Sequence, residues 1–352
     1  MTLKHLPTQI DVESKRVLKA LPSAHAALAE LKAVASSIPD QHILINTLTI
    51  QEAKNSSAIE NIITTHDELY RAKPGLKTGV SISTKEVQDY RIALELGFEI
   101  VSSKGLLTLN DINRIQGVLE SNNAGIRKLP GTMLRNASTG EVVYEPPQNP
   151  EEIKALMSNL ALYINDTEMD DYDILVKMAV IHYQFESIHP YYDGNGRTGR
   201  ILNVLYLILN GLQELPILYL SRYIIKHKND YYRLLQEVRD QDNWEEWLLY
   251  MIHGIEETAR ETIELITKMK LLMMDMKHLI RKNYKFYSQD LLNNLFKYPY
   301  TKIEYIIEDI GVSRITAANY LNTLARDGVL RKERVGKTNF YINPKLLELL
   351  KG

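Results

Sequence analysis

The sequence predicts a mainly α-helical protein in which a β-hairpin interrupts the helical body and a small, separate domain follows. Apolar residues recur at helical spacing along most of the chain. A segment rich in Pro, Gly and β-branched residues breaks this pattern between residues 130 and 150. Residues 281–352 carry 13 Lys and Arg against 7 Asp and Glu, a net charge of +6, whereas the whole chain carries −2. These observations favour a helical core followed by a basic domain.

The first part of the chain, residues 1–105, is predicted to be helical. Apolar positions across residues 41–72 predict one or two helices, and the same spacing predicts further helices over 84–103 and 109–121. The pair Asn110-Asp111 has short polar side chains, which we expect to cap the last of these helices.

A β-hairpin is predicted between residues 130 and 150. Pro130-Gly131 and Pro146-Pro147 flank two short segments with strand-forming residues, at 133–135 and 141–144. We therefore expect a hairpin flap on the surface of the helical body.

Two hydrophobic helices with a polar loop between them are predicted in the centre of the chain. Asp173 is a suitable cap for a helix over residues 174–187, and Pro190 ends that helix. A second helix is expected to begin near Gly196 and to stop at Asn210-Gly211. The loop therefore lies within the sequence HPYYDGNGRTGR, which spans residues 189–200.

This loop carries the residue types that hold and attack a polyphosphate. A helix N-terminus offers unpaired amides, and glycines let a phosphate approach those amides closely. Asp193 can hold a magnesium ion that bridges phosphate oxygens. Arg197 and Arg200 are neighbours on the first helical turn and can clamp further phosphates. A neutral His189 could take a proton from a hydroxyl nucleophile, so the loop predicts in-line displacement at a nucleotide phosphate.

The residues alone leave two other interpretations of the loop open. The Gly-Asn-Gly run can be an ordinary tight turn, with His189 capping the preceding helix. Alternatively, His182, Glu186 and His189 share one helical face and could bind a metal ion, although no HExxH pattern is present.

The loop resembles the signature of the Fic family, HPFx(D/E)GNGRxxR, with Tyr191 in place of the usual Phe. The resemblance covers most of residues 40–260 and implies an all-helical Fic core with a β-hairpin flap. It also implies transfer of AMP from ATP to a Ser, Thr or Tyr hydroxyl of a protein, with Mg²⁺ as cofactor and release of pyrophosphate. The resemblance assigns these roles: His189 is the general base, Asp193 the magnesium ligand, the amides of Gly194, Asn195 and Gly196 the anion hole, and Arg197 and Arg200 the holders of the distal phosphates.

A second motif resembles the inhibitory sequence of the same family, (S/T)xxxE(G/N). It comprises Ser56, Glu60 and Asn61, upstream of the core. The resemblance implies a helix docked over the loop, on which Glu60 pairs with Arg200 and keeps this arginine from the γ-phosphate. In some relatives the same glutamate supports removal of AMP, and the sequence leaves that activity open. As a residue pattern, the motif could also be a capping pattern on an amphipathic helix.

The resemblance implies roles for two further groups of residues. Val142, Val143 and Tyr144 of the flap are expected to align a target peptide by strand addition. Tyr231 and Tyr232 lie where relatives have residues near adenine, and either ring could stack on the base. Packing of both rings in the core or at the surface is the alternative.

Residues 281–352 resemble a winged helix-turn-helix domain, preceded by a linking helix over residues 255–280. A helix, a glycine turn and a second helix are expected over 300–311 and 313–327, and a hairpin is expected within 329–342. Ile315, Ala318, Leu321 and Leu324 are expected to supply the apolar face of the second helix. If the domain binds DNA, Arg314, Thr316, Asn319 and Asn322 would face a groove, and Arg331, Lys332, Arg334 and Lys337 would contact phosphates. Dimerisation or recognition of a partner protein is the alternative.

The sequence and the resemblance together predict an auto-inhibited protein adenylyltransferase with its catalytic core over residues 106–254. The other hypothesis is a winged-helix regulator whose Fic-like core senses nucleotide without turnover. The chain has no cysteine, which excludes thiolate catalysis, and its N-terminus lacks an apolar signal core. We therefore expect a cytoplasmic protein that acts on a protein target away from membranes, with a homodimer left open. We expect removal of residues 281–352 to leave the chemistry intact and to change the choice of target.

Overall fold

The computed structural model describes residues 3–8, 12–72, 81–135 and 139–351. Its N-terminal part is helical, as predicted, and the segment over 41–72 forms two helices because the chain leaves the helical conformation after Ile59. The helices of this part are α1 (Lys15–Ser36), α2 (Gln41–Ile59), α3 (His66–Arg71), α4 (Ile82–Lys104) and α5 (Leu109–Leu119).

The N-cap of α5 differs from the prediction. Thr108, not Asn110-Asp111, precedes the first helical residue, and its hydroxyl oxygen accepts a hydrogen bond from Asp111 N at 3.2 Å. The Asp111 carboxylate accepts in return from Thr108 N at 3.1 Å. This reciprocal capping box satisfies two otherwise unpaired amides, so the helix begins one residue before the predicted cap.

The centre of the chain contains the predicted hairpin and the two predicted hydrophobic helices. The strands β1 (Leu134–Arg135) and β2 (Val142–Tyr144) pair antiparallel, and Leu134 lies opposite Tyr144. The helices that follow are α6 (Pro150–Asn165), α7 (Ile174–Ile188), α8 (Asn195–Leu209), α9 (Leu220–Lys226) and α10 (Lys228–Gln241).

The core is centred on α7 and α8. Every residue of α7 from Leu175 to Ile188 is buried, so this helix lies inside the bundle and not on its surface. It packs against α8, α6 and α11, and α8 in turn contacts α4 and α5. Among the residues that the structure describes, no helix is long and apolar enough to cross a membrane.

The predicted linking helix is part of a longer one. α11 runs without interruption from Trp244 to Asn283, because the segment contains no proline and Gly254 is buried within the helix. Residues 271–274 of α11 are all apolar. Met273 is buried, whereas Leu271 is 58% exposed, so this apolar stretch packs on one side of the helix only. α11 lies along α1 for much of its length and connects the core to the C-terminal elements.

The C-terminal module comprises residues 289–351. Its helices follow the expected order, but Tyr300 and Thr301 form a strand where a helix was predicted to begin, because they pair with the hairpin at Ile342 and Tyr341. The three strands form an antiparallel sheet in the order β3-β5-β4. Ile315 is 76% exposed, so the predicted apolar face of the second helix is wrong at this position. The elements are α12 (Gln289–Lys297), β3 (Tyr300–Thr301), α13 (Ile303–Ile310), α14 (Arg314–Arg326), β4 (Arg331–Val335), β5 (Thr338–Ile342) and α15 (Pro344–Lys351).

Candidate functional site

The loop between α7 and α8 is held in one shape by its own side chains. His189 ends α7 in the left-handed conformation, with φ +48°, and Gly194 precedes α8 with φ +75°. The Asn195 amide bridges the loop, because its oxygen accepts from Tyr191 N at 2.9 Å and its nitrogen donates to Tyr191 O at 2.8 Å. The first amides of α8 therefore lie at a fixed helix N-terminus, where they have no intrahelical acceptor.

A buried arginine that the sequence did not single out supports the other side of the loop. Arg127 has no exposed surface, and its Nε donates to His189 O at 2.9 Å. Its backbone N donates to Pro190 O at 2.9 Å, and its guanidinium also contacts Pro147 O at the base of the hairpin. Arg127 thus joins the flap to the loop. The sequence around Arg127 contains no recognisable motif, so this role could not be predicted from it.

His189 is held as a neutral imidazole. Burial lowers the pKa of His189 to about 4, and the positive charges of Arg127 and Arg239 act in the same direction. Its Nδ1 is buried and has no hydrogen-bond partner among the described residues. At neutral pH this side chain can therefore accept a proton.

Glu60 bridges the two arginines of the loop. Glu60 is the C-cap of α2, and its carboxylate accepts from Arg197 Nε at 2.7 Å and from Arg200 at 2.8 Å. Arg200 is 2% exposed, and its Nε also donates to Ser56 Oγ at 2.7 Å. Although burial opposes the charged form, the Glu60 carboxylate keeps the pKa of Arg200 raised. Asn61 follows in the left-handed conformation with φ +64° and turns the chain away from α2.

Arg197 contacts three further carboxylates. Glu120 lies 3.0 Å from its guanidinium, Asp193 3.7 Å and Glu86 3.8 Å. Burial raises the pKa of Glu120 to about 7, and Arg197 offsets only part of this rise. Glu120 was not predicted, because it follows α5 and lies far from the loop in sequence.

Asp193 and Gly196 lie on the accessible side of the loop. The Asp193 side chain is 77% exposed, and its Oδ1 accepts from Gly194 N at 2.7 Å. A Cβ at position 196 would lie 2.6 Å from Glu60 Oε1, so only glycine allows this carboxylate to approach the loop.

Tyr231 and Tyr232 differ in their environments. Tyr231 is 2% exposed, and its hydroxyl contacts His182 Nε2 at 2.8 Å, so the expectation that this ring stacks on a base conflicts with its burial. Tyr232 is half exposed and packs edge-on against Tyr231. Burial raises the pKa of Tyr232, and the charge of Arg200 partly offsets this rise.

The helical face with His182, Glu186 and His189 is part of the core. Burial lowers the pKa of His182 to about 3 and raises the pKa of Glu186 to about 7. Within the described ranges, no group of three or more His, Asp or Glu side chains is arranged to hold a metal ion. His182 instead packs between Tyr231 and Trp247.

The hairpin presents two valines and anchors one tyrosine. Val142 is 47% exposed and Val143 is 42% exposed, so this edge is accessible to a peptide. The Tyr144 hydroxyl donates to Ser187 O at 3.0 Å, and the Arg239 guanidinium lies 4.1 Å from the Tyr144 ring centroid. Tyr144 therefore fixes the flap to the end of α7.

The fold is that of solved Fic proteins. A Fic family protein from Desulfovibrio desulfuricans has a TM-score of 0.61 at 19% identity, and the match covers 96% of this chain and 98% of that chain. A Fic domain containing signaling protein from Bacteroides thetaiotaomicron has a TM-score of 0.57 at 19% identity, over 70% of this chain and 96% of that chain. The mainly helical architecture predicted from the sequence, with its hairpin, is thereby confirmed.

The chain belongs to the Fic family. The model "Fic/DOC family N-terminal" matches residues 18–99, and the model "Fic/DOC family" matches residues 106–207. A third model, "Protein adenylyltransferase SoFic-like, C-terminal domain", matches residues 272–346. The resemblance inferred from the loop is therefore confirmed.

Curated relatives of the chain are named protein adenylyltransferases. Protein adenylyltransferase Fic of Aedes aegypti is 23% identical over 172 residues, which is 47% of this chain and 33% of the relative. A probable protein adenylyltransferase of Aquifex aeolicus is 28% identical over 185 residues, 51% of this chain and 54% of the relative. The chain thus spans between a third and about half of the length of these relatives.

Proposed function

We propose that the chain is an auto-inhibited protein adenylyltransferase, which transfers AMP from ATP to a Ser, Thr or Tyr hydroxyl of a protein, including itself. The observation that carries this proposal is the contact of one carboxylate, that of Glu60, with both Arg197 and Arg200. A neutral imidazole, a glycine turn at a helix N-terminus and two arginines suit nucleotide chemistry. Glu60 occupies the donors that a polyphosphate needs, so transfer requires its withdrawal.

In the proposed reaction, the target hydroxyl oxygen attacks the α-phosphorus of ATP and the bond to the bridging oxygen of the β-phosphate breaks. Pyrophosphate leaves, and His189 accepts the hydroxyl proton. The pKa of His189, about 4, makes it a weak base that is always available at neutral pH. Proton transfer is then expected late, once bonding to phosphorus has made the hydroxyl acidic.

The anion hole is proposed to consist of the amides of Gly194, Asn195 and Gly196. The amides of Asn195 and Gly196 lie at the N-terminus of α8, where unpaired N–H groups and the helix dipole favour negative charge. The Gly194 amide donates to Asp193 Oδ1 and would exchange this acceptor for a phosphate oxygen. Arg197 and Arg200 would bind the distal phosphates once Glu60 has moved. Tyr232, which is accessible, is the ring proposed to stack on the base.

The loop also fits a magnesium ion. Asp193 offers a hard oxygen donor on the exposed side of the loop, and Mg²⁺ is usually bound by one or two carboxylates together with phosphate oxygens and water. The carboxylates of Glu86 and Glu120 add negative charge near Arg197, which disfavours binding of a polyphosphate without a cation. When bound, the ion would neutralise charge on the phosphates, and Asp193 would hold it.

The flap is proposed to align the target. Val142 and Val143 are accessible on a strand that has a neighbour on one side only, so an extended peptide could pair with its free edge. Tyr144 and Arg127 tie this strand to the loop, which would place the target hydroxyl relative to His189.

A labelling experiment in two variants tests the proposal. The Glu60→Gly chain, incubated with ATP and Mg²⁺, is expected to acquire AMP on itself and on proteins of a lysate, as identified by mass spectrometry of modified peptides. Adding His189→Ala to this variant should abolish transfer while ATP binding, measured by calorimetry, is retained. ATP binding without any transfer by the Glu60→Gly chain would instead support a nucleotide-sensing regulator.

Several finer expectations stay predictions. They are removal of AMP, a homodimer, a cytoplasmic location, the winged-helix assignment and DNA binding through residues 281–352. For DNA binding, Arg314 and Asn319 are exposed, whereas the Asn322 side chain accepts hydrogen bonds from Lys332 and Tyr341 and is already engaged. A gel-shift experiment with duplex DNA at two salt concentrations tests that part.

A further inference from the structure

The segment that carries Glu60 contacts the C-terminal module both before and after Glu60 in the sequence. We name residues 41–71, which comprise α2, Glu60 and α3, the latch segment. Before Glu60, Gln51 on α2 donates from its amide to Leu350 O on α15. After Glu60, Arg71 on α3 contacts Glu333 on β4 at 2.5 Å. These contacts join residues that are far apart in sequence, so they form only when the module is docked.

Asp67 on α3 receives two groups from the same module. Its carboxylate accepts from the Tyr300 hydroxyl at 2.6 Å and lies 3.1 Å from Lys351 Nζ. Tyr300 is 1% exposed, and its ring stacks on Tyr70 with centroids 6.2 Å apart. The Arg71 guanidinium lies 5.6 Å from the Tyr300 ring centroid. The first strand of the module is therefore buried against α3.

The contact between the module and the latch segment has an apolar part, where α12 packs on α2 and Tyr300 on Tyr70, and a polar part that is incompletely filled. A cavity of about 500 Å³ lies between α2, α9, α11 and α15. Gln51 and Asn55 of α2 line it, opposite Lys345 and Glu348 of α15. The ion pair of Arg71 with Glu333 is about one-third exposed on both sides. An interface of this kind resembles those between domains that separate and redock.

We propose that the C-terminal module braces the latch segment, so that its displacement from α2 and α3 withdraws Glu60 from Arg197 and Arg200. This inference rests on the proposed function, in which Glu60 is the inhibitory group. Glu60 lies between the anchor at Gln51 and the anchors at Asp67 and Arg71, and it has no covalent link to the loop. Because α2 also packs on α4 and α9, loosening these anchors would free chiefly the turn after Ile59 that carries Glu60, and a partner that binds the module in its undocked form would activate transfer.

The proposed bracing role of the module contradicts the expectation that removal of residues 281–352 leaves the transfer reaction unchanged. Deletion would also expose α2 and α3, so point substitutions are the better test. Asp67→Ala removes the acceptor for Tyr300 and Lys351, and Arg71→Ala removes the partner of Glu333. Neither residue touches the loop. Arg326→Ala is the matched control, because it breaks an ion pair with Asp327 within the module, 3.0 Å long, that does not involve the latch segment.

We expect the Asp67→Ala, Arg71→Ala chain to label itself at least about fivefold faster than the native chain, the lower end of coupling between two sites. Arg326→Ala should leave the rate unchanged. In the Glu60→Gly background the double substitution should add nothing, because the latch is already gone. Arg71→Glu alone should also raise the rate of self-labelling. Adding Glu333→Arg restores an ion pair of opposite polarity and should bring the rate back toward that of the native chain.

A readout without catalysis separates failure of the brace from failure of the proposed function. Hydrogen exchange of the amides from Ser57 to Asn61 should quicken in the Asp67→Ala, Arg71→Ala chain and stay slow in Arg326→Ala. Slow exchange in the folded double variant, or an equal gain in labelling with and without Glu60, would overturn the brace. Absence of labelling in the Glu60→Gly chain would refute the proposed function, whatever the exchange result.

Discussion

Glu60→Gly is expected to accelerate AMP transfer by an amount that can be worked out from its contacts. The substitution removes two ion pairs, at 2.7 and 2.8 Å. Arg197 and Arg200 are almost fully buried, whereas the Glu60 side chain is 25% exposed. Exposed ion pairs contribute about 0–1 kcal/mol and breaking a buried one costs about 3–5 kcal/mol, so the latch should be worth about 2–3 kcal/mol.

A difference of about 2–3 kcal/mol corresponds to a rate increase of roughly 30- to 160-fold, if withdrawal of Glu60 limits turnover. The assay is the initial rate of self-labelling with α-labelled ATP and Mg²⁺, measured on chains with matched circular dichroism. Glu86→Gln is the matched control, because Glu86 also faces Arg197 but lies 3.8 Å away and is more exposed. An increase below about fivefold for Glu60→Gly, or an equal increase for Glu86→Gln, would refute the reasoning.

Three further substitutions test other parts of the site. Ser56→Ala removes the 2.7 Å hydrogen bond that Arg200 Nε donates to Ser56 Oγ, but Arg200 still donates to Ser56 O and to Glu60. It should therefore give partial activation, smaller than that of Glu60→Gly, and self-labelling at the native rate would contradict it. Tyr191→Phe leaves Asn113 Oδ1 without its 2.8 Å donor and should lower the free energy of unfolding by about 1 kcal/mol, measured by urea denaturation, while labelling in the Glu60→Gly background persists. Glu186→Gln should flatten the pH dependence of stability. Burial raises the pKa of Glu186 to about 7, so its neutral form stabilises the native chain below pH 4.5 and this contribution is lost as the pH rises through 7. The loss amounts to roughly 3 kcal/mol. Urea unfolding at pH 5 and pH 8.5 that shows the same difference in both chains would count against this.

The sequence predicts the central helices well because their signals are local. Asp173 caps α7, and Gly211, with φ +71°, follows the end of α8. The apolar residues of α7 are buried, as a hydrophobic helix predicts, but its polar residues are buried too because the helix lies inside the bundle. The cap of α5 was misplaced because Asp111 does take part in the cap, but from the third helical position, where its side chain bonds back to the N-cap residue Thr108.

The parts of the site that sequence reasoning missed are brought in by the fold. Arg127 and Glu120 contact the loop from segments more than sixty residues upstream, and neither belongs to a motif. The contact between Glu60 and Arg200 follows the expectation from the resemblance, but the second contact, with Arg197, depends on the depth at which α2 docks. Tyr231 was placed near a base because the sequence does not reveal that its hydroxyl meets His182 in the core.

The bridging position of Glu60 has a consequence for how sharply the protein can respond. One carboxylate, that of Glu60, is shared by two guanidiniums. A nucleotide that binds Arg197 first and Arg200 later would therefore leave the Glu60 carboxylate paired with only one arginine in a mostly buried position. Intermediate arrangements are therefore sparsely populated, and the loop should behave as a two-position device. A signal that acts on the end of α2 would then change the fraction of competent molecules, while each competent molecule works at its full rate.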